Sequence, residues 1–357
     1  MRKIDWYIFK KFIGTFFFAI SLLIVIVIVF DVSENVDSFI KNNASFYEVV
    51  FHYYIPFIPY FINLFVYLFT FISVIFFTSK MAGHTEIIAI LSSGISFKRF
   101  LLPYMMAALL LAGGSFYLGN FLIPRMDTVR RTFKNQYMEN LMKSSGANLH
   151  VQIEKGTYAY MSNYDLKRST GYRFTLEKFD NQILEYKLSA DKITYDTLKD
   201  RWNVVNYVEH FFVPEEMLVR GKSKDTTLRM KPSDFYFVKE DFEEMNLIEL
   251  NTYIEESRAK GADNILPYEI EKHKRMASPA AIIILTLIGA SLSSRKTRGG
   301  MGLNLGIGIT ITFTYIIFLE FFRVFAISGA ISPVMAGWLP NIIFAVIGIY
   351  FFAKAPK

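Results

Sequence analysis

Cysteine is absent from this 357-residue chain. That one absence removes disulfides, thiolate nucleophiles, iron–sulfur clusters and cysteine-ligated zinc. Charge is scarce too: Asp, Glu, Lys and Arg make up 20% of residues against 52% hydrophobic, too little to solvate an ordinary water-soluble fold. The five histidines (His52, His84, His150, His210 and His273) show no metal-ligand spacing, so neither a metal nor another cofactor is expected. Gly221-Lys222-Ser223 resembles the end of a phosphate-binding loop, but Glu216 stands where the first glycine of that motif is required. A nucleophile elbow and a paired-carboxylate site are also missing, so no catalytic residue is assigned and an enzyme is the least favoured class.

What the chain does have is Phe (36) and Tyr (21), gathered in long apolar runs. These are Phe12–Phe30, Ile55–Phe77, Phe100–Ile123, Pro279–Ser293, Leu303–Phe325 and Pro333–Ala353. A bilayer-crossing helix needs about 20 apolar residues; the run at 279–293 is short and is expected to start before Pro279. The first run follows a basic leader and is followed by Asp31-Val-Ser-Glu34 rather than a small-residue cleavage site, so it reads as a retained anchor. The net charge of +7 sits in pairs flanking the runs, such as Arg2-Lys3, Lys10-Lys11, Lys98-Arg99 and Arg295-Lys296. That is a topology signal, and no basic stripe interleaved with aromatics suggests nucleic acid. Lys80, Lys98, Arg99, Arg295, Lys296 and Arg298 fall in loops on one side, while segment 31–54 carries Asp31, Glu34, Asp37 and Glu48 against Lys41. The positive-inside rule then places both termini in the cytoplasm and the large polar insert outside an inner (cytoplasmic) membrane.

Within the insert, residues 150–155, 172–179 and 202–208 alternate apolar and polar at period two, the signature of strands. Turn chemistry is expected at Ser162–Asp165, Phe179–Asn181 and Lys199–Asp200. Asn246–Lys260 reads as a helix with Gly261 as its stop. The fold class is therefore an α-helical integral membrane protein of six transmembrane helices, three plus three, with an inserted all-β, jellyroll-like domain. Its expected divisions are 1–123, 124–268 and 269–357. Aromatics of the insert (Tyr158, Tyr160, Phe174, Phe179 and Trp202) either fill a β-core or line an acyl-chain groove.

Between the second and third runs lies Glu86-Ile-Ile-Ala-Ile-Leu-Ser-Ser-Gly94. Thr85 is placed to cap a short helix, Ile87, Ile88 and Leu91 to form one apolar stripe, and Gly94 to end it. By its residues alone, this amphipathic helix at about 84–95 either rests on lipid or docks a cytoplasmic partner. Two further segments stand out: Glu269-Ile-Glu271-Lys-His273-Lys-Arg275-Met-Ala-Ser-Pro279, and Ser332-Pro333-Val-Met-Ala-Gly-Trp338-Leu-Pro340-Asn341.

In their order, and with the three-plus-three layout around a β-rich insert, these segments resemble the LptF/LptG family of lipopolysaccharide-export permeases, somewhat more the LptG side. The resemblance implies a permease subunit paired with a second LptF/LptG-type chain as a heterodimer. It implies a cytoplasmic LptB-like ATP-binding-cassette ATPase docked on the coupling helix through Glu86, Ile87, Ile88, Leu91 and Gly94. It also implies an LptC/LptA-like periplasmic bridge that receives the glycolipid. Alternatives are a permease of the lipoprotein-release or cell-division type, whose large insert usually follows the first span, and a non-transport scaffold presenting a β-domain.

Lipopolysaccharide carries phosphates, so cations near the outer surface are candidate contacts: Lys41 after the first run, and Arg125, Arg130, Arg131 and Lys134 after the third. Interfacial snorkelling explains the same residues. Glu320 and Arg323, three residues apart, share a helix face in the fifth run. They either face a cavity or partner or neutralise one another near the lipid surface.

Overall fold

The computed structural model describes residues 3–138, 147–154, 156–165, 168–180, 183–197, 200–213, 216–228, 230, 241–260, 265–296 and 299–355. Gly261, expected to stop a helix, and Arg298 of the basic loop lie outside these residues. The chain divides into two compact units. One comprises 1–133, 243–250 and 266–357; the other comprises 134–242 and 251–265.

The first unit is a helical bundle. Its elements are α1 (Lys3–Lys41), α2 (Phe46–Glu48), α3 (Ile55–Gly83), α4 (Glu86–Ser92), α5 (Phe97–Tyr117) and α6 (Ile123–Tyr137, whose last residues belong to the second unit). After the β-strands come α7 (Asp241–Glu244) and α8 (Leu247–Lys260), each divided between the two units, then α9 (Leu266–Ser293), α10 (Gly300–Ile327) and α11 (Pro333–Lys354). A π-helical stretch at Val49–Tyr54 joins α2 to α3, and another at Leu118–Leu122 joins α5 to α6. Among the described residues, six continuous helices are thus long and apolar enough to cross a membrane: Lys3–Lys41, Phe46–Gly83, Phe97–Tyr137, Leu266–Ser293, Gly300–Ile327 and Pro333–Lys354. All six apolar runs fall inside them, in order. The helices outrun the lipid: 39 residues of α1 extend about 58 Å at 1.5 Å per residue, against about 30 Å of hydrocarbon.

Packing follows helical spacing. Ile8, Phe12, Phe16 and Ile20 recur every fourth residue on α1 and are fully buried against Val74, Phe77 and Met81 of α3 and Phe100 and Tyr104 of α5. A second cluster joins Phe71 and Ile75 of α3, Ala281, Leu285 and Ile288 of α9, Tyr315 of α10 and Phe344 of α11. Close approach between membrane helices needs small residues. A Cβ at Gly308 would stand 2.2 Å from Ile75 Cδ1, and one at Gly337 would stand 2.9 Å from the His273 backbone. The two conspicuous sequence segments meet here. Asn341 donates to the Ala277 carbonyl (2.8 Å) and accepts from the Tyr315 hydroxyl (2.8 Å), so segment 332–341 is clamped onto segment 269–279. Pro279 lies inside α9, which begins at Leu266, as the short fourth run requires.

The second unit carries an antiparallel sheet whose six described strands lie in chain order. They are β1 (Ala147–Glu154), β2 (Thr157–Asp165), β3 (Thr170–Asp180), β4 (Ile183–Asp196), β5 (Arg201–Phe211) and β6 (Met217–Thr226). The alternating segments fall in β1 (150–154, with Lys155 outside the described residues), β3 and β5. The turn expected at Ser162–Asp165 does not form: β2 runs through Asp165, pairing Asn163 with Tyr172, because cross-strand pairing outweighs local turn preference. Gly221-Lys222-Ser223 lies within β6 and not in a loop. The core is one face of the sheet: Ala159, Met161, Phe174, Leu176, Leu188, Ile193, Trp202 and Val204. The Trp202 indole N–H donates to the Met230 carbonyl (2.9 Å). Phe174 and Trp202 are therefore core. Tyr158 is exposed, and Tyr160 and Phe179 are half-buried.

Candidate functional site

At one end of the helical unit, α4 forms a short hairpin between α3 and α5. Thr85 occupies its N-cap position but does not cap: it sits at φ +61°, its side chain makes no cap bond, and its hydroxyl donates to the His84 carbonyl (2.6 Å). The expected stripe also divides. Ile87 is 1% exposed and joins the core with Met81, Ala82, Phe97 and Phe100, and Leu91 packs beside it. Ile88, the next residue, is 59% exposed, because consecutive residues on a helix point about 100° apart. Glu86 lies 3.8 Å from the exposed His84. Gly94 ends the turn at φ +88°, its N–H donating to the Leu91 carbonyl (3.0 Å). Ser96 caps α5, and Arg99 in its first turn pairs with the buried Asp5 of α1 at 2.6 Å. The result is a helix of about two turns, pinned by Ile87 and offering Glu86 and Ile88 outward.

The opposite end of the unit is polar and interlocked. Tyr53 and Tyr54 both donate to Asp31 at 3.0 Å. They are consecutive and reach one carboxylate from a π-helical turn, a distortion often found at functional positions. The Arg130 guanidinium lies over the rings of Phe57 (5.2 Å), Tyr60 (5.7 Å) and Tyr53 (5.9 Å) and 3.8 Å from Asp127. Arg131 pairs with Glu244 at 2.8 Å. Arg275 donates to Glu271 (2.9 Å) and to the Met245 carbonyl (2.7 Å), and Lys274 lies 3.4 Å from the same Glu271. A polar cavity of about 170 Å³ opens beside them. The sequence segment around Glu271 was conspicuous, but no periodicity announced its bond to Met245, nor the grip of Tyr53 and Tyr54 on Asp31.

Among the cations singled out in sequence, Arg130 and Arg131 are thus engaged within the chain, whereas Lys41 and Arg125 are exposed. Lys134 is half-buried on α6. Glu320 and Arg323 form an ion pair at 3.4 Å on an outward face of α10, with side chains 57% and 38% exposed. Around them Phe313, Ile317, Phe321 and Val324 are exposed apolar residues, a face suited to lipid or another apolar helix. In the second unit, Tyr186 and Lys224 both donate to the buried Glu209, at 2.8 and 2.7 Å. Burial first, then the hydrogen bond and charge of Glu209, push the Tyr186 hydroxyl well above its ordinary pKa. Among the described residues, no group of three His, Asp or Glu side chains is arranged to hold a metal.

The model of the lipopolysaccharide export system permease LptF/LptG family matches residues 6–354. No curated protein matches the chain.

Proposed function

Since the chain belongs to the LptF/LptG family, permeases of lipopolysaccharide export, and is a multi-pass membrane protein with six candidate spans, we propose that it is the permease subunit of an ATP-driven transporter. Its partners are a second permease of the same layout, a cytoplasmic ATP-binding-cassette ATPase and a periplasmic bridge. The transporter lifts lipopolysaccharide from the inner membrane and hands it to the β-sheet unit. Both termini and α4 face the cytoplasm, and the β-sheet unit faces the periplasm.

The observation that carries this reading is α4. A helix of seven residues contributes little stability by itself, yet it is fastened to the bundle through Ile87 and leaves Glu86 and Ile88 outward. That construction suits a contact that transmits force from a docked motor into α3 and α5. Glu86 meets the ATPase by charge and Ile88 by apolar contact, while Ile87, Leu91 and Gly94 hold the helix in place. Neighbouring Asp5–Arg99 stiffens the base of the hairpin.

On the periplasmic side, Lys41 and Arg125 are the cations best placed for lipid A phosphates. Arg130, Arg131 and Lys134 set the shape of the same helix end, and the α10 face carrying Glu320 and Arg323 meets the second permease. Affinity purification of the tagged full-length chain tests the whole reading. Recovery of an ATP-binding-cassette ATPase, a second permease and bound lipopolysaccharide is expected. Recovery of the chain without an ATPase would overturn it in favour of a scaffold.

A further inference from the structure

Beside the α4 hairpin, a separate groove of about 390 Å³ opens between the C-terminal end of α3 and the N-terminal end of α10. Lys80 and His84 line it from one side, Arg295 and Lys296 from the other, and no carboxylate is among the described residues that line it. Arg295 donates to the Lys354 carbonyl. Lys80 and Lys296 form no ion pair among the described residues. The first turn of α10 borders the groove at Gly300 and Met301, and Gly299 before it supplies no side-chain cap, so the positive end of the helix dipole adds to the cations.

A basic flank alone would follow from membrane topology. Asn304 would not. It is 2% exposed, lines the groove, and donates its amide to Ser79 Oγ at 3.0 Å, while its Oδ1 has no hydrogen-bond partner. A buried acceptor left unpaired costs about 1–3 kcal/mol, so the groove calls for a ligand that brings a donor as well as negative charge. The walls decide between a soluble anion and a lipid. Phe76 and Met301 flank the cations and are 39% and 40% exposed, and exposed Leu303 and Ile307 continue the apolar surface along α10.

We propose that this groove binds the headgroup of an anionic, hydroxyl-bearing phospholipid of the adjoining leaflet. Lys80, Arg295 and Lys296 hold its phosphate, a headgroup hydroxyl donates to Asn304 Oδ1, and its acyl chains lie along Phe76 and Met301. Basic pockets between membrane helices take anionic headgroups in this way. The site borders the α4 hairpin at His84 but uses neither Glu86 nor Ile88, the residues proposed to meet the ATPase.

Native mass spectrometry of the full-length chain in detergent tests this, with phosphatidylglycerol, phosphatidylethanol (the same charge without the hydroxyls) and phosphatidylcholine as probes. Phosphatidylglycerol should be retained at about tenfold lower concentration than phosphatidylcholine and about fivefold lower than phosphatidylethanol. Lys80→Gln with Lys296→Gln should abolish the first preference, and Asn304→Leu the second alone. Lys178→Gln, on an exposed position of β3, should change neither. If the double variant does not fold, high salt on the unaltered chain substitutes for it and should also erase the first preference. Equal retention of all three lipids, or a preference that survives both the variants and salt, would overturn the assignment. Displacement of the lipid by inorganic phosphate would reassign the groove to a free anion. Unchanged lipid retention with loss of a co-purifying protein would reassign it to a protein partner.

Discussion

The two ends of the helical unit bring polar groups together on opposite plans. At the Asp31 end, two tyrosines converge on one carboxylate, Arg130 lies over three aromatic rings, and Arg275 bridges Glu271 and a backbone carbonyl. These groups satisfy one another from within the chain, and removing one member leaves another stranded. At the α4 end, a short helix hangs from a buried isoleucine and turns a carboxylate and an isoleucine outward, and no carboxylate is among the described residues that line the neighbouring basic groove. The named groups at the first end are closed on one another, although Lys41 and Arg125 stay exposed there, and the second end is left open. On the function proposed above, that contrast would separate a part that holds shape from a part that receives force.

The contrast breaks most readily at its closed end. Arg275→Leu strands the buried Glu271 with only Lys274 at 3.4 Å, and breaking a buried pair costs about 3–5 kcal/mol. A large drop in melting temperature of the full-length chain is expected, and Arg323→Leu, on the exposed α10 pair, should change it little. At the open end, Ile87→Ala should cost about 2–5 kcal/mol locally, seen as faster amide exchange across 84–96. Ile88→Ala should leave exchange unchanged. A smaller effect is expected from Tyr53→Phe and Tyr54→Phe, about 1 kcal/mol each for a lost bond to Asp31, measured by thermal unfolding of the single and double variants.

The smallest effect lies in the β-sheet unit. The folded-state pKa of Tyr186 is raised, so folding favours its neutral form. Its contribution is present in full below about pH 10, the unfolded value, and is lost as pH rises through the folded value. The melting temperature of the unaltered chain should therefore fall more steeply between about pH 9.5 and 11.5 than that of Tyr186→Phe.

Hydropathy made the six helices legible in the sequence, and positions 150–155, 172–179 and 202–208 announced the sheet. The rest needed tertiary structure. Helix ends were hidden because α1, α6 and α9 run on as polar helices past the lipid-facing runs, and prolines such as Pro103 and Pro279 sit inside helices, where neighbouring helices absorb the lost backbone bond. Asn246, taken in sequence only as the first residue of a helix, caps α8: its Oδ1 accepts from the backbone N–H groups of Ile248 and Glu249. Thr85 looked equivalent, yet its left-handed backbone turns the hydroxyl away. Nothing in the sequence separates Ile87 from Ile88, since both are isoleucines in one apolar stretch and only the packing of α3 and α5 decides which is buried. The cations after the third span looked alike as well, until Arg130 and Arg131 found partners within the chain.

The central claim is that α4 presents Glu86 and Ile88 to a motor while Ile87 ties it to the bundle. The most direct measurement is ATP-dependent lipopolysaccharide release from the reconstituted transporter carrying Glu86→Lys with Ile88→Asp. Melting of the full-length chain and its pairing with the second permease should be unchanged, with release and ATPase recovery reduced at least about tenfold, as for a central contact in a protein interface. Normal release and ATPase recovery with this double variant would contradict the account.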